Sequence, residues 1–263
     1  MGVVTVGVYG LGHIPDPPHV VAALSSSRSM ATSPMLVRPF EFIREIKNQR
    51  GAGKCVGAGL AQGFALRARA LGFDVSEISD TAIYRMARQG DNPVTDSGCQ
   101  PYQACAYAMA RGLVPESRWP SVWAADGWTQ ANVNDPLPLD VWEHALDARI
   151  THVGVVDLSD ADAIRQAIDS GFPVAWSTVV DAAWDNYTSG YLGPPSGPIR
   201  GRHYTLLVDH DDQGAIGVNS WSTGWGAAYA GFSGGFYRAS WARLADVSST
   251  DGRIIEIGPK ELT

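Results

Sequence analysis

Three side chains in this sequence could together cleave an acyl bond: Cys55, His203 and Asn219. A thiol attacks as its thiolate, and an imidazole beside it can take the proton and hold a thiolate–imidazolium pair. A neutral amide oxygen can then accept the imidazole's second N–H and fix the ring without adding a charge. Cys55 follows the glycine-rich turn Asn48-Gln49-Arg50-Gly51-Ala52-Gly53-Lys54 and opens a run of small residues, Val56 to Ala65. That run reads as a helix packed close against its neighbours, because its glycines are poor helix formers and gain nothing from propensity. A thiol at a helix N-terminus meets the positive end of the dipole, which favours thiolate. An inert core cysteine would look the same on its own, so the argument rests on the partners.

The partners need an element that brings them together. His203 precedes a strand pattern, Tyr204 to Asp209, and the turn residues Asp211-Asp212-Gln213-Gly214 lead into a second strand pattern, Ala215 to Asn219. In such a hairpin His203 and Asn219 meet at the open end.

The rest of the chain divides into helices first and strands second. The Cys55 helix is expected to run to Leu71 and stop at Gly72. Ser79-Asp80-Thr81 caps a second helix through Arg88, and a third covers Tyr102 to Arg111 before Gly112. Ile150 to Leu158 reads as a strand, Ser159-Asp160 caps a helix that ends at Gly171, and Pro173 to Ser177 is a strand. Short strands follow between Gly224 and Tyr237. This order predicts an α+β fold with an N-terminal arm over 1–36, a helical lobe over 37–128 and a β-rich lobe over 129–263, with the cleft between the lobes.

The segment from Asn48 to Cys55 resembles the Asn-Gln-Gly-x-Cys-Gly-x-Cys motif of the papain-like cysteine peptidases, with Gln49 six residues before the cysteine. Asn219-Ser220-Trp221-Ser222-Thr223-Gly224-Trp225-Gly226 is similar to that family's Asn-Ser-Trp-Gly-x-x-Trp-Gly signature, and the His203–Asn219 spacing also matches. Asp96-Ser97-Gly98-Cys99-Gln100-Pro101 looks like the edge strand on which the family pairs substrate backbone. The resemblance covers Leu36 to Arg243. It implies Cys55 as nucleophile, His203 as general base and then acid, and Asn219 as the group that orients it. It further implies Gln49 with the Cys55 N–H as the oxyanion hole, Trp221 as the shield over the His203–Asn219 bond, and Gly98 and Cys99 as cleft lining. The partner expected is a peptide or protein substrate, with no cofactor and no metal.

Departures from the family pattern bear on the site. Val56 stands where most relatives have a bulky aromatic, and Ala52 where they have a disulfide cysteine. Cys99 replaces the second edge-strand glycine. Arg202, beside His203, is expected to disfavour the imidazolium, and Lys54 to favour the thiolate. The arm is expected to pack on the surface or to cover part of the cleft, and His13 and His19 within it read as surface histidines.

Composition narrows the function classes. The net charge of −7 and the lack of a basic cluster argue against nucleic acid. No stretch reaches the ~18 apolar residues of a membrane span, and no signal peptide is apparent. Three cysteines leave at least one free thiol, and Cys99 and Cys105 are badly spaced for a bridge, which favours the cytoplasm or another reducing compartment. Asp209-His210-Asp211-Asp212 reads as a solvated turn and not a metal site. A catalytically silent binding or structural protein on the same scaffold is the rival class. An amidase or transpeptidase using the same acyl-thioester chemistry is a further alternative.

Overall fold

A computed structural model describes residues 11–17, 37–88, 96–120, 137–138, 141 and 148–259. The Cys55 helix, α1 (Cys55–Ala70), is the pivot of the helical part. Fifteen of its residues, all but Ala70, are buried, so it lies inside the molecule on every side. Its glycines mark where other elements come closest. A β-carbon on Gly57 would fall 2.4 Å from the Asp80 carbonyl oxygen, and one on Gly59 would fall 3.0 Å from the Tyr204 ring. Close packing, and not propensity, explains the glycines, as expected.

Helix α2 (Asp80–Ala87) begins at Ser79, whose side chain accepts from the Ala82 N–H at 3.0 Å. Helix α3 (Pro101–Arg111) starts on a proline that needs no N–H partner and ends at Gly112, with φ 82°. Helix α4 (Ala161–Asp169) is capped by Asp160, which accepts from the N–H groups of Asp162 and Ala163. Two short helices, α5 (Ala182–Asp185) and α6 (Trp241–Leu244), lie among the strands.

The strands are β1 (Ala148–Val155), β2 (Val174–Val180), β3 (Gly201–His210), β4 (Gly214–Val218), β5 (Ala227–Tyr229), β6 (Phe232–Ser240) and β7 (Thr250–Pro259). They form one antiparallel sheet in the order β1-β7-β2-β3-β4-β6-β5. Strand β3 sits at its centre and is buried on both faces. Tyr204, Leu206 and Val208 enter the apolar cluster around α1, while Leu207 joins a second cluster with Trp176, Trp184, Trp221 and Tyr237. The fold is therefore α+β, with α1 to α3 preceding the sheet and α4 to α6 lying between its strands.

The strands differ from the sequence reading: β1 and β2 are shifted along the chain against the expected Ile150–Leu158 and Pro173–Ser177, and two further differences bear on the site. Strand β3 begins before His203, at Gly201, because its first residues pair with β2 instead of β4. Strand β7 lies beyond the region where sequence motifs are legible, and its alternation is interrupted by Gly252 and Arg253. His19 and His144 fall outside the described residues. Among the described residues, no helix is long and apolar enough to cross a membrane.

Candidate active site

The pair expected from the hairpin is present. His203, inside β3, places Nε2 2.6 Å from the Asn219 side-chain oxygen, just past the end of β4. Both residues are fully buried. The Trp221 ring lies over the imidazole at 4.7 Å between centroids, and Trp184 meets it edge-on at 6.0 Å. Trp221 has no exposed surface, so it closes the hydrogen bond off from water and offers no face to a ligand. Trp225 is packing, stacked on Trp184 at 5.9 Å. The other ring nitrogen of His203, Nδ1, has no hydrogen-bond partner among the described residues. An imidazole anchored through one nitrogen, with the second unengaged, is set to exchange a proton on that side.

Cys55 is the first residue of α1, and the backbone amides of Tyr204, Gly12 and Val56 are near enough to draw its thiol pKa down. Gln49 is held from both ends of its amide. Its Nε2 donates to the Ala52 carbonyl at 2.9 Å, and its Oε1 accepts from the Ser220 hydroxyl at 2.5 Å. Its backbone N–H donates to the Ser220 carbonyl at 2.8 Å, so the turn before Cys55 is pinned to the segment after Asn219.

A second tie fixes that turn to the cleft edge. Asp96 Oδ1 accepts from the Gly53 N–H at 2.9 Å and from the Tyr84 hydroxyl at 2.7 Å. The same hydroxyl accepts from the Gly98 N–H at 2.9 Å. Gly53 and Gly98 are thus coupled through two side chains, with Ala52 in place of the disulfide cysteine. None of the three cysteines is disulfide-bonded. Tyr84 is a site residue that the sequence reading did not pick out, and Asp96 was read only as the start of the edge strand, without this role. Their only signal was the composition of the turn, since their convergence depends on the fold.

The arm lies in the cleft. Gly12 and Ile14 bracket Cys99: the Cys99 N–H donates to the Gly12 carbonyl at 2.8 Å, and the Ile14 N–H donates to the Cys99 carbonyl at 3.1 Å. His13 and Cys99 form a parallel bridge. The edge expected to hold substrate backbone therefore holds residues 12–14 of the same chain, and Cys55 beneath them has no exposed surface. His13 is not a surface histidine as expected. It is buried, with Nδ1 2.8 Å from the Ser177 hydroxyl and Nε2 2.9 Å from the Asp251 carboxylate. Its ring stacks on Tyr204, 5.7 Å away. Asp16 pairs with Arg253 and accepts from the Tyr102 N–H at 3.1 Å.

Burial decides the charge state. Burial pushes the Cys55 thiol up to about 11, outweighing the backbone N–H groups that draw it down. Burial lowers His203 to about 4, against the pull of Asn219, with the nearby Arg200 and His13 lowering it further. The closed site is a thiol and a neutral imidazole, and the dipole effect expected at the helix start is outweighed. The charges expected to matter are spent elsewhere. Lys54 lies 2.7 Å from the Asp80 carboxylate, and Arg202 donates to the Ser248 carbonyl and the Thr250 hydroxyl, both at 2.7 Å.

No protein-family model matches the chain, and no curated protein matches it by sequence. Solved structures do match. Xylellain, a cysteine protease from Xylella fastidiosa, superposes with a TM-score of 0.77 at 20% identity, covering 97% of this chain and 99% of its own. Procathepsin B from Trypanosoma congolense gives 0.70 at 15% identity, covering 96% and 89%. The cysteine protease CMS1MS2 of Carica candamarcensis gives 0.59 at 20% identity, covering 83% and 96%. Across nearly the whole of its length, this chain has the fold of the papain-like cysteine proteases.

Proposed function

We propose that the protein is a cysteine peptidase that hydrolyses peptide bonds through an acyl-thioester, and that residues 11–17 cover its site in the closed state. The observation that carries this reading is the buried His203, held by Asn219 through Nε2 at 2.6 Å with Nδ1 left without a partner. A structural histidine buried at this depth ordinarily uses both nitrogens.

In the open state His203 Nδ1 takes the Cys55 proton, and the sulfur attacks the substrate carbonyl carbon. The oxyanion receives hydrogen bonds from the Cys55 N–H and the Gln49 amide, a kind of donor worth about 2.7–4 kcal/mol at the transition state. The tetrahedral intermediate collapses as the imidazolium protonates the departing amine, leaving the acyl group on sulfur. Water then attacks the thioester with His203 again as base, and the thiol is restored. Gly98 and Cys99 pair with the substrate backbone, and Trp221 keeps water from the His203–Asn219 bond. The substrate is a peptide or protein, and three free thiols suit a reducing compartment.

One observation favours a second reading, a catalytically silent protein on this scaffold: Cys55 is fully covered by its own chain. Hydrolysis of a mixed fluorogenic peptide library by the full chain, beside its Cys55→Ala variant, separates the two. Release by the wild type alone supports the peptidase. Equal signals from both, or none even after the arm is loosened by Gly12→Ala, would leave the silent reading.

A further inference from the structure

Lys54 is an unfavourable residue for the place where it stands. It precedes Cys55, its side chain has no exposed surface, and it holds the capping position of α1. A side chain with an oxygen would tie up the first N–H groups of the helix from there. Lysine has no acceptor, and α1 carries no side-chain cap at this end. The ammonium turns instead to the start of α2. It donates to the Asp80 carboxylate at 2.7 Å and to the Thr81 hydroxyl at 3.1 Å, and that hydroxyl donates to the same carboxylate oxygen at 3.1 Å. A buried pair of this kind adds little net stability over two apolar side chains of similar volume, so stability alone does not account for it.

The anchor is rigid. The Ser79 side chain caps α2, and the Ser79 N–H donates to the Val114 carbonyl at 2.9 Å. The Asp80 carbonyl oxygen lies where a β-carbon on Gly57 would have to go, so α2 presses directly on the first turns of α1. The other end of the Gln49 turn is held from the same side. Lys47, also buried, places Nζ 2.9 Å from Glu45 and 3.9 Å from Glu77, while its carbonyl accepts from the Ser222 N–H at 3.0 Å. The turn thus runs between two buried lysines whose ammonium groups reach carboxylates at 77 and 80.

What the Lys54 tether holds is one peptide unit. The oxyanion donor assigned to Cys55 is the N–H of the Lys54–Cys55 peptide, and the carbonyl of that same unit accepts from the Ala58 N–H at 2.9 Å. A trans peptide is planar, so its N–H points opposite to its carbonyl, out of the start of α1. The tilt of that plane depends on the dihedrals of Lys54, φ −97° and ψ 23°, which lie outside the helical range. On the other side of Lys54, the Gly53 N–H is fixed on Asp96. Lys54 therefore joins two fixed points of the backbone, and its side chain supplies the third.

We propose that Lys54 is a positioning residue for the reaction: tethered to Asp80, it holds the Lys54–Cys55 peptide so that the Cys55 N–H faces the developing oxyanion. The inference rests on the peptidase reading for the oxyanion, while the tether itself is tested without turnover. The oxyanion exists only after attack, so losing the tether lowers kcat and leaves substrate binding as it was.

The test compares the full chain as wild type, Lys54→Met, Asp80→Asn and the double variant Lys54→Met/Asp80→Asn. Lys54→Met leaves a buried carboxylate without its ammonium and should lower the melting temperature, whereas the double variant leaves no charge behind and should recover much of it. With one fluorogenic peptide, the double variant should keep KM within about twofold and lose about tenfold or more in kcat. Lys54→Met, read alone, should give the same split, and Asp80→Asn, which keeps an acceptor for the ammonium, a smaller one. Wild-type kcat in a folded Lys54→Met or double variant overturns the proposal, and so does a loss that lies wholly in KM. The second measurement is amide hydrogen exchange, read by mass spectrometry on the segment 48–55. The N–H groups of Gln49, Ala52 and Gly53 are all hydrogen-bonded, so their exchange reports opening of the turn. Exchange there should be about tenfold faster in Lys54→Met and in the double variant, with the His203–Asn219 hairpin unchanged. Unchanged exchange in the turn overturns the proposal. Faster exchange in the variants, with no cleavage of any peptide by the wild type, leaves the tether standing and overturns the peptidase reading.

Discussion

Gly12 and Gly53 lie backbone against backbone, and a β-carbon on Gly12 would fall 1.6 Å from the Gly53 carbonyl oxygen. No side chain can sit at position 12 while the arm stays where it is. The same residue accepts from the Cys99 N–H at 2.8 Å, and Cys55 beneath it has no exposed surface, so the contact that needs glycine is in the segment that covers the thiol. Gly12→Ala should therefore loosen the arm without touching the core. An overlap of this kind costs about 1–3 kcal/mol, which corresponds to roughly 5–150-fold in the open population. Cys55 alkylation should accelerate by that factor while Cys105, on the buried side of α3, does not change. A variant in which Cys55 labels as slowly as wild type would mean that the arm does not control access.

The tie between Gly53 and Gly98 predicts a different effect. Tyr84→Phe keeps the ring and removes the hydroxyl that joins Asp96 to the Gly98 N–H. Leaving a buried N–H without its partner costs about 1–3 kcal/mol. The melting temperature should fall, and KM for peptide substrates should rise more than kcat falls, because the edge that pairs with substrate is freed while Cys55 and His203 stay in place. An unchanged KM would remove the edge-positioning role from Tyr84.

What the sequence disclosed and what it hid divide along physical lines. Cys55, His203 and Asn219 were legible because the chemistry constrains residue type and the hairpin constrains spacing. The small-residue helix was legible because glycines at Gly57 and Gly59 have no use except close approach. His13 was not legible, since a histidine between turn residues carries no sign of burial until β2, β3 and β7 are laid side by side. Asp251 and Arg253 lie on a strand whose alternation is broken, so neither periodicity nor motif marked them. The thiolate expected at the start of α1 failed for a related reason. The dipole is a local property that sequence can show, whereas the burial that outweighs it depends on how the whole chain packs around Cys55.

Asn219 and His203 should differ in how much activity they carry. Removing the imidazole removes general acid and base together, so His203→Ala should lose about 10²–10⁴-fold in kcat. Asn219→Ala leaves the base in place and removes only the acceptor at 2.6 Å that orients it, so its loss should be smaller. Steady-state kinetics with one fluorogenic peptide compares the two directly. An Asn219→Ala loss as large as that of His203→Ala would make the amide part of proton transfer and not only a support.

The depressed basicity of His203 has a consequence for stability that runs opposite to that of an ion-paired histidine. Burial holds the folded imidazole at about 4, against an ordinary value of 6.5, so between those two pH values the unfolded chain binds a proton that the folded chain refuses. Stability linked to this residue is present in full above 6.5 and is lost as pH falls toward 4, by an amount of the order of 3 kcal/mol at its limit. Other groups titrate nearby: His13 is also lowered by burial, and Asp16 is raised to about 6. The difference between wild type and His203→Gln isolates the one residue, because glutamine keeps a polar side chain and does not titrate. Urea unfolding of both proteins at intervals from pH 4 to 7.5 should show the wild type losing stability relative to the variant as the solution is acidified through 6. A constant difference across that range would mean that His203 titrates normally in the folded chain, and so that the aromatic cover formed by Trp184 and Trp221 admits water.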